Sequence, residues 1–226
     1  MPIWFMQAIS YIWPVTIKEY TSAISGPLFV RYFMGKKVLD SATTNYSFGG
    51  LQKVLHRALE LLPWNTRIGN ILILGLGAGS VVKTLREQFH SRATITGIDI
   101  DEVMITIAKE EFDIKESVDT SFMVADAIEW IADNKLPYDL IIIDLFIRDT
   151  IPHGATEMNF IDHVIRSLSS GGLLVFNTIP ETLSDDNLGS LIEYLENRQI
   201  EVRKMKKWGY SNNVLLGSKK TTSESQ

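Results

Sequence analysis

The chain contains no cysteine. A disulfide framework, a thiolate metal site and a cysteine nucleophile are all excluded, and the composition suits a reducing compartment. Histidine is scarce too. His56, His90, His153 and His163 are scattered and form no His-x-x-His or His-x-x-x-His spacing, so no metal is expected. No Gly-x-Ser-x-Gly elbow occurs, and no lysine follows the glycine-rich loop as in a phosphate-binding P-loop. Basic charge is in short supply, with 22 Lys and Arg against 27 Asp and Glu for a net charge of −5. The small cluster Arg203, Lys204, Lys206 and Lys207 reads as a solvated strand edge, where lysine discourages edge-to-edge pairing. No nucleic-acid partner is expected.

Long apolar runs are absent as well. Residues 1–14 are rich in Ile3, Trp4, Phe5, Met6, Ile9, Tyr11, Ile12 and Trp13, but the stretch is too short to span a bilayer. It has no leading positive charge and no small-residue cleavage site, so a signal peptide is not expected. It also lacks Lys or Arg on a polar face, which argues against a membrane-surface anchor. Its aromatics are expected to pack on the body of the protein or on a partner subunit in a homodimer. The expected setting is cytoplasmic, without a membrane partner.

What is present is an alternation. The 226 residues suffice for one α/β domain and a small extension. Residues 16–21, 28–33 and 37–41 read as strands, with turns at Gly26-Pro27 and Met34-Gly35. Residues 46–50 read as a loop, and the apolar spacing of 51–62 as a helix stopped by Pro63. Strands are then expected at 71–74, 93–98, 121–125, 140–143, 173–177, 202–205 and 213–216. Helices are expected at 80–89, 102–112, 127–132, 156–168 (stopped by Gly171-Gly172) and 188–197. This order predicts a mainly parallel sheet covered on both faces. The last two strands are joined too closely for a crossover helix and must be antiparallel to each other. The boundaries expected are 1–66 for a β-rich extension with its helix, 67–217 for the main domain and 218–226 for a disordered tail.

Ligands of such a sheet sit beyond the carboxyl ends of the strands. The first of these strands runs into Gly75-Leu76-Gly77-Ala78-Gly79 and then a helix, where backbone can approach a ligand and unpaired N–H groups point outward. The second ends in Asp99, 22 residues beyond Gly77, the distance at which a carboxylate takes both hydroxyls of a ribose. Asp101 fits either a site role or a helix N-cap. Asp126 can accept from an exocyclic amine, cap the next helix, or do both. Asp144 directly follows the buried run 140–143 and points into the cleft. Asp149 and His153, on the loop after it, are candidate substrate contacts.

Together, the segments 71–79, 97–101, 124–127 and 138–146 resemble the spermidine synthase branch of the class I S-adenosylmethionine-dependent methyltransferase superfamily. The resemblance covers roughly residues 16–217. It implies a Rossmann-like seven-stranded sheet with an antiparallel last strand plus a small β-rich N-terminal extension. It also implies S-adenosylmethionine or its decarboxylated form as cofactor, a small-molecule acceptor and no metal. By position, Gly75, Gly77, Ala78 and Gly79 match the cofactor loop and Asp99 the ribose acid. Ile100 matches the apolar residue under adenine, Asp126 and Ala127 the adenine-edge pair, and Asp144 the catalytic aspartate. Tyr46 falls in the segment that meets the acceptor. The chain departs from spermidine synthases in three places. Ala78 replaces an Asp of the glycine loop. The run Asp144-Leu145-Phe146-Ile147-Arg148-Asp149 replaces Asp-Ser-Ser/Thr-Asp-Pro. Gly49 and Gly50 stand near an acidic pair. A dication needs carboxylates to offset its desolvation, so these losses favour methyl transfer over aminopropyl transfer to a diamine. A cofactor-binding protein without catalysis is the third reading.

Overall fold

A computed structural model describes residues 2–41, 45–47, 50–64, 68–147, 150–179, 183–205 and 212–221, with backbone alone at 45–47, 50 and 51. An N-terminal helix, α1 (Ile3–Ile9), precedes a four-stranded antiparallel sheet of β1 (Val15–Ser22), β2 (Gly26–Phe33), β3 (Lys36–Ser41) and β4 (Asn45–Ser47), in that order. Met34 and Gly35 join β2 to β3 with φ of 51° and 76°. Both central residues are left-handed, the turn geometry that matches strand twist. Helix α2 (Gly50–Glu60) leads into the second unit.

That unit is a seven-stranded sheet of β5 (Asn70–Leu74), β6 (Thr94–Asp99), β7 (Thr120–Val124), β8 (Tyr138–Ile143), β9 (Leu168–Thr178), β10 (Ile200–Met205) and β11 (Asn213–Lys219). The order is β10-β11-β9-β8-β5-β6-β7. Strand β11 runs antiparallel to both β9 and β10, and the other pairings are parallel. The helices are α3 (Ser80–Glu87), α4 (Glu102–Glu111), α5 (Ala127–Asp133), α6 (Met158–Ser167) and α7 (Asp185–Glu196). Successive strand residues face opposite sides. Ile71, Ile73, Leu140 and Ile142 join the core that holds α2, α3, α4 and Leu28, Val30 and Leu39 of the small sheet. Leu72, Leu74, Ile141 and Ile143 join the core of α5, α6 and α7. No helix among the described residues is long and apolar enough to cross a membrane.

The two sheets are tied around α4. Asp101 caps α4 by accepting from Val103 N at 3.0 Å, and its other oxygen accepts from the hydroxyls of Ser22 and Ser25 at 2.5 and 2.6 Å. The structure thus gives Asp101 the capping role. Lys18 and Lys37 add ion pairs to Glu110 and Glu111, each of small net worth at the surface.

Several expectations are corrected. Of the two placements expected for the N-terminal aromatics, the body of the chain is not the one seen. Helix α1 has no buried residue, and Trp4, Tyr11, Ile12 and Trp13 are exposed. Ser10 alone is buried, because its carbonyl and hydroxyl accept from Met34 N and Gly35 N at the tip of the β2–β3 turn. Residues 45–47, expected to be mostly loop, pair with β3. Helix α6 ends before Gly171-Gly172, and these glycines lie inside β9. A Cβ on Gly172 would meet Ser169 O at 2.8 Å, so the chain folds too tightly there for a side chain. Strand β11 runs two residues into the expected tail, with the Lys219 ammonium held by the carbonyls of Ile165 and Leu168. The remainder, 222–226, lies outside the described residues, as do Lys206 and Lys207. Arg203 and Lys204 are exposed on β10, the sheet edge their charge predicted.

Candidate functional site

Strand β5 lies where the strand order reverses, with β6 on one side and β8 on the other. Such a switch point opens a crevice at the carboxyl ends. The registers set those ends level: Leu74 pairs with Ile98 and with Ile143. Gly75, Asp99 and Asp144 therefore leave the sheet side by side.

The glycine loop is shaped by this crowding. Gly75 has a φ of +89°, and a Cβ there would lie 2.2 Å from the carbonyl oxygen of Asp144. No other residue fits that approach. Gly79 is the left-handed N-cap of α3, and its Cβ would meet Ile114 at 2.9 Å. Ala78, between Gly77 and Gly79, is fully buried in the core below.

Asp99 is buried, and its two oxygens are held separately. One accepts from Gly77 N at 2.7 Å and the other from Asp101 N at 2.9 Å. The carboxylate thus braces the glycine loop, and each oxygen keeps a lone pair for a further donor. Burial pushes its pKa up to about 6, against the pull of those backbone N–H groups. Ile100, next along the chain, exposes an apolar surface at 39%. Asp126 caps α5 by accepting from Ile128 N at 2.8 Å, which leaves its second oxygen for a ligand, and Ala127 is buried behind it.

Asp144 is partly exposed at the mouth. Burial of its carboxyl pushes the pKa up to about 6. The Asn177 amide opposes this, and the charge of Asp99 adds to it. Asn177 Nδ2 donates to Asp144 Oδ1 at 2.8 Å, and Asn212 Nδ2 donates to Asn177 Oδ1 at 3.0 Å. Reading strand ends for acids alone misses both asparagines. The available signal was a polar residue closing the apolar run Leu173 to Phe176.

The structure thus brings together Gly75, Gly77, Ala78, Gly79, Asp99, Ile100 and Asp144, with Asp126 and Ala127 at the next strand end. His153 lies on a short 3-10 turn, its side chain 94% exposed and 3.0 Å from Glu157. Asp149 and the Tyr46 side chain lie outside the described residues. Among the described residues, no group of three or more His, Cys, Asp or Glu is placed to hold a metal ion.

A methyltransferase-domain family profile matches residues 68–219. The chain belongs to that family. It is 32% identical over 190 residues to a probable polyamine aminopropyl transferase of Bifidobacterium longum, covering 78% of this chain and 41% of that protein. It is 34% identical over 120 residues to a polyamine aminopropyltransferase of Vibrio vulnificus, covering 52% of this chain and 40% of that one. The chain therefore spans about two fifths of the length of these relatives. Among solved structures, a probable spermidine synthase from Corynebacterium glutamicum matches with a TM-score of 0.71 at 19% identity, over 89% of this chain and 79% of that one. Human methyltransferase-like protein 13 in complex with SAH matches at 0.62 and 21% identity, over 78% and 84%. The fold is the class I methyltransferase fold with spermidine synthase-like character, including the antiparallel strand β11.

Proposed function

We propose that this chain is an S-adenosylmethionine-dependent transferase that moves a methyl group to a small acceptor bearing an N–H or O–H. The residues present fit the cofactor. The free lone pairs of Asp99 suit the ribose hydroxyls, Ile100 suits one face of adenine, and the second oxygen of Asp126 suits its exocyclic amine. When bound, the cofactor supplies an electrophilic carbon on a sulfonium. The chain's own task is to hold the acceptor in line and to take the proton the acceptor loses. Asp144 is the acid placed for that, and a carboxyl raised to about 6 is a better proton acceptor near neutrality than one near 4.

The observation that carries methyl over aminopropyl transfer is Ala78. Where spermidine synthases place a carboxylate in the glycine loop, this chain buries a methyl group with 0% exposure against its apolar core. A cationic aminopropyl group finds no counter-charge there. Aminopropyl transfer from the decarboxylated cofactor stays as the second reading, favoured by the Bifidobacterium longum relative that matches 78% of the chain.

Calorimetric titration with S-adenosylmethionine and with its decarboxylated form, side by side, tests this. Tighter binding of the carboxylated form, followed by methyl transfer to an amine or hydroxyl in a labelled acceptor screen, is the expected result. Tighter binding of the decarboxylated form would shift the function to aminopropyl transfer. Binding of neither would make the glycine loop structural and end the proposal.

A further inference from the structure

The end of β9 carries an arrangement that the proposed chemistry does not yet use. Asn177 is fully buried, and Asn212, just before β11, is 7% exposed. Burying two amides is costly unless they are hydrogen-bonded. Here they form a chain that runs Asn212 to Asn177 to Asp144, at 3.0 and 2.8 Å. An amide can present either its donor or its acceptor end, so the direction of the chain needs a cause. An ionised carboxylate accepts and cannot donate. Asn177 must therefore turn Nδ2 toward Asp144 and Oδ1 toward Asn212, and Asn212 supplies the donor that holds it so. Reversing the chain requires a proton on Asp144.

We propose that Asn177, aligned by Asn212, is a positioning residue for transfer: it holds Asp144 by Oδ1 and leaves Oδ2 as the face presented to the acceptor's proton. The inference rests on the transferase reading above. Three further facts agree with it. No other side-chain hydrogen bond to Asp144 occurs among the described residues, so Oδ2 has no side-chain partner among them. Among the described residues, the strands packed around Asp144 bring one charged group to bear on it, Asp99 at the end of β6, and that charge opposes ionisation. Beside it, β5 presents only the backbone of Gly75, and β9 and the start of β11 present neutral amides. The asparagine chain is thus the feature that favours an ionised, singly oriented Asp144 in a place where burial and Asp99 both favour the neutral acid.

The test reads Asp144 directly and needs no acceptor. Protein labelled with 13C at the aspartate carboxyls is titrated by NMR, with Asp144→Asn identifying the resonance. In Asn177→Ala the Asp144 midpoint should rise by about one pH unit, the equivalent of one hydrogen bond to a charged group. In Asn212→Ala it should rise by less, in the same direction, because the donor remains but is no longer held. Thermal unfolding reports whether each variant folds. If Asn177→Ala does not fold, the Asn212→Ala midpoint decides alone. Midpoints unchanged from wild type in the folded variants would overturn the proposal while leaving the transferase reading intact. Calorimetry on the wild type separates the two. If neither cofactor binds, the transferase reading falls, and the positioning role in transfer falls with it, whatever the midpoints show.

Discussion

Replacing Asp144 by Asn should make the free protein more stable and the enzyme inactive. The carboxyl lies about two units above its ordinary 3.8, at about 6, because the folded protein buries it and sets it near Asp99. At 1.36 kcal/mol per unit this is about 3 kcal/mol that the ionised group costs the fold. Contact with solvent reduces the figure to about 2 kcal/mol. The sign follows from the raised value. The folded state binds this proton more tightly than the unfolded chain, so stability is lost as pH climbs from about 4 to about 6. Asparagine can keep the hydrogen bond from Asn177 through its carbonyl oxygen and carries no charge. The variant should therefore gain about 2 kcal/mol at pH 8 and almost nothing at pH 4. Over a chain of this length that is a rise in Tm of about 4–8 °C at pH 8. Thermal unfolding of wild type and variant without cofactor, at both pH values, measures it. Transfer, once an acceptor is in hand, should fall by about 100-fold or more. A variant no more stable than wild type at pH 8, or equally stabilised at pH 4, would refute the reasoning.

Asp99→Asn should lower cofactor affinity by about 100-fold in calorimetry, because one oxygen that takes both a backbone N–H and a ribose hydroxyl becomes a donor; unchanged affinity would remove Asp99 from the site. Gly75→Ala should cost about 3 kcal/mol or more in urea unfolding, since its Cβ would lie 2.2 Å from Asp144 O at a positive φ; wild-type stability would show that the strand ends can move apart. Asp101→Ala should cost about 2 kcal/mol, through the lost cap of α4 and the stranded hydroxyls of Ser22 and Ser25. Amide exchange should then quicken at Ile24 and Ser25; protection equal to wild type there would refute the tie.

The second unit of the fold was legible because its strands are buried on both faces. Runs such as Ile71 to Leu74 and Leu140 to Ile143 carry no polar residue, and only a covered parallel strand tolerates that. The glycine loop was legible for a related reason: strand, Gly75-Leu76-Gly77-Ala78-Gly79 and helix follow one another without a gap. For the N-terminal segment, packing on the body of the chain was inferred from apolarity alone. Trp4, Ile12 and Trp13 are apolar, yet the segment meets the β2–β3 turn through two hydrogen bonds to Ser10 and the Tyr11 ring beside Gly35, and a lone serine in an aromatic run gives no periodic signal. The same limit applies at Gly171-Gly172. A glycine pair stops a helix or bends a strand equally well, and the choice is made by Tyr138 and Leu140 of β8, some thirty residues earlier in the chain.

Within the site, legibility depended on how far apart the partners lie in sequence. Asp99 reaches Gly77 across 22 residues of one strand–helix–strand unit, a spacing that local reading can catch. Asp144, Asn177 and Asn212 are about thirty-five residues apart at each step and meet only because β8, β9 and β11 are neighbours in the sheet. No motif records that adjacency. The physical consequence is that the acids of this site are visible in the sequence, while their state of ionisation is not. Asp99 and Asp144 read alike as strand-end aspartates, and in the fold burial pushes both carboxyls up to about 6. They differ in what answers the burial. Asp99 is met by two backbone N–H groups that any residue would supply once the glycine loop has formed. Asp144 is met by a side-chain amide that had to be asparagine or a close substitute, and which is itself held by a second one. A substitution at Asn177 or Asn212 therefore alters the chemistry of Asp144 without changing any residue that the strand-end pattern marks.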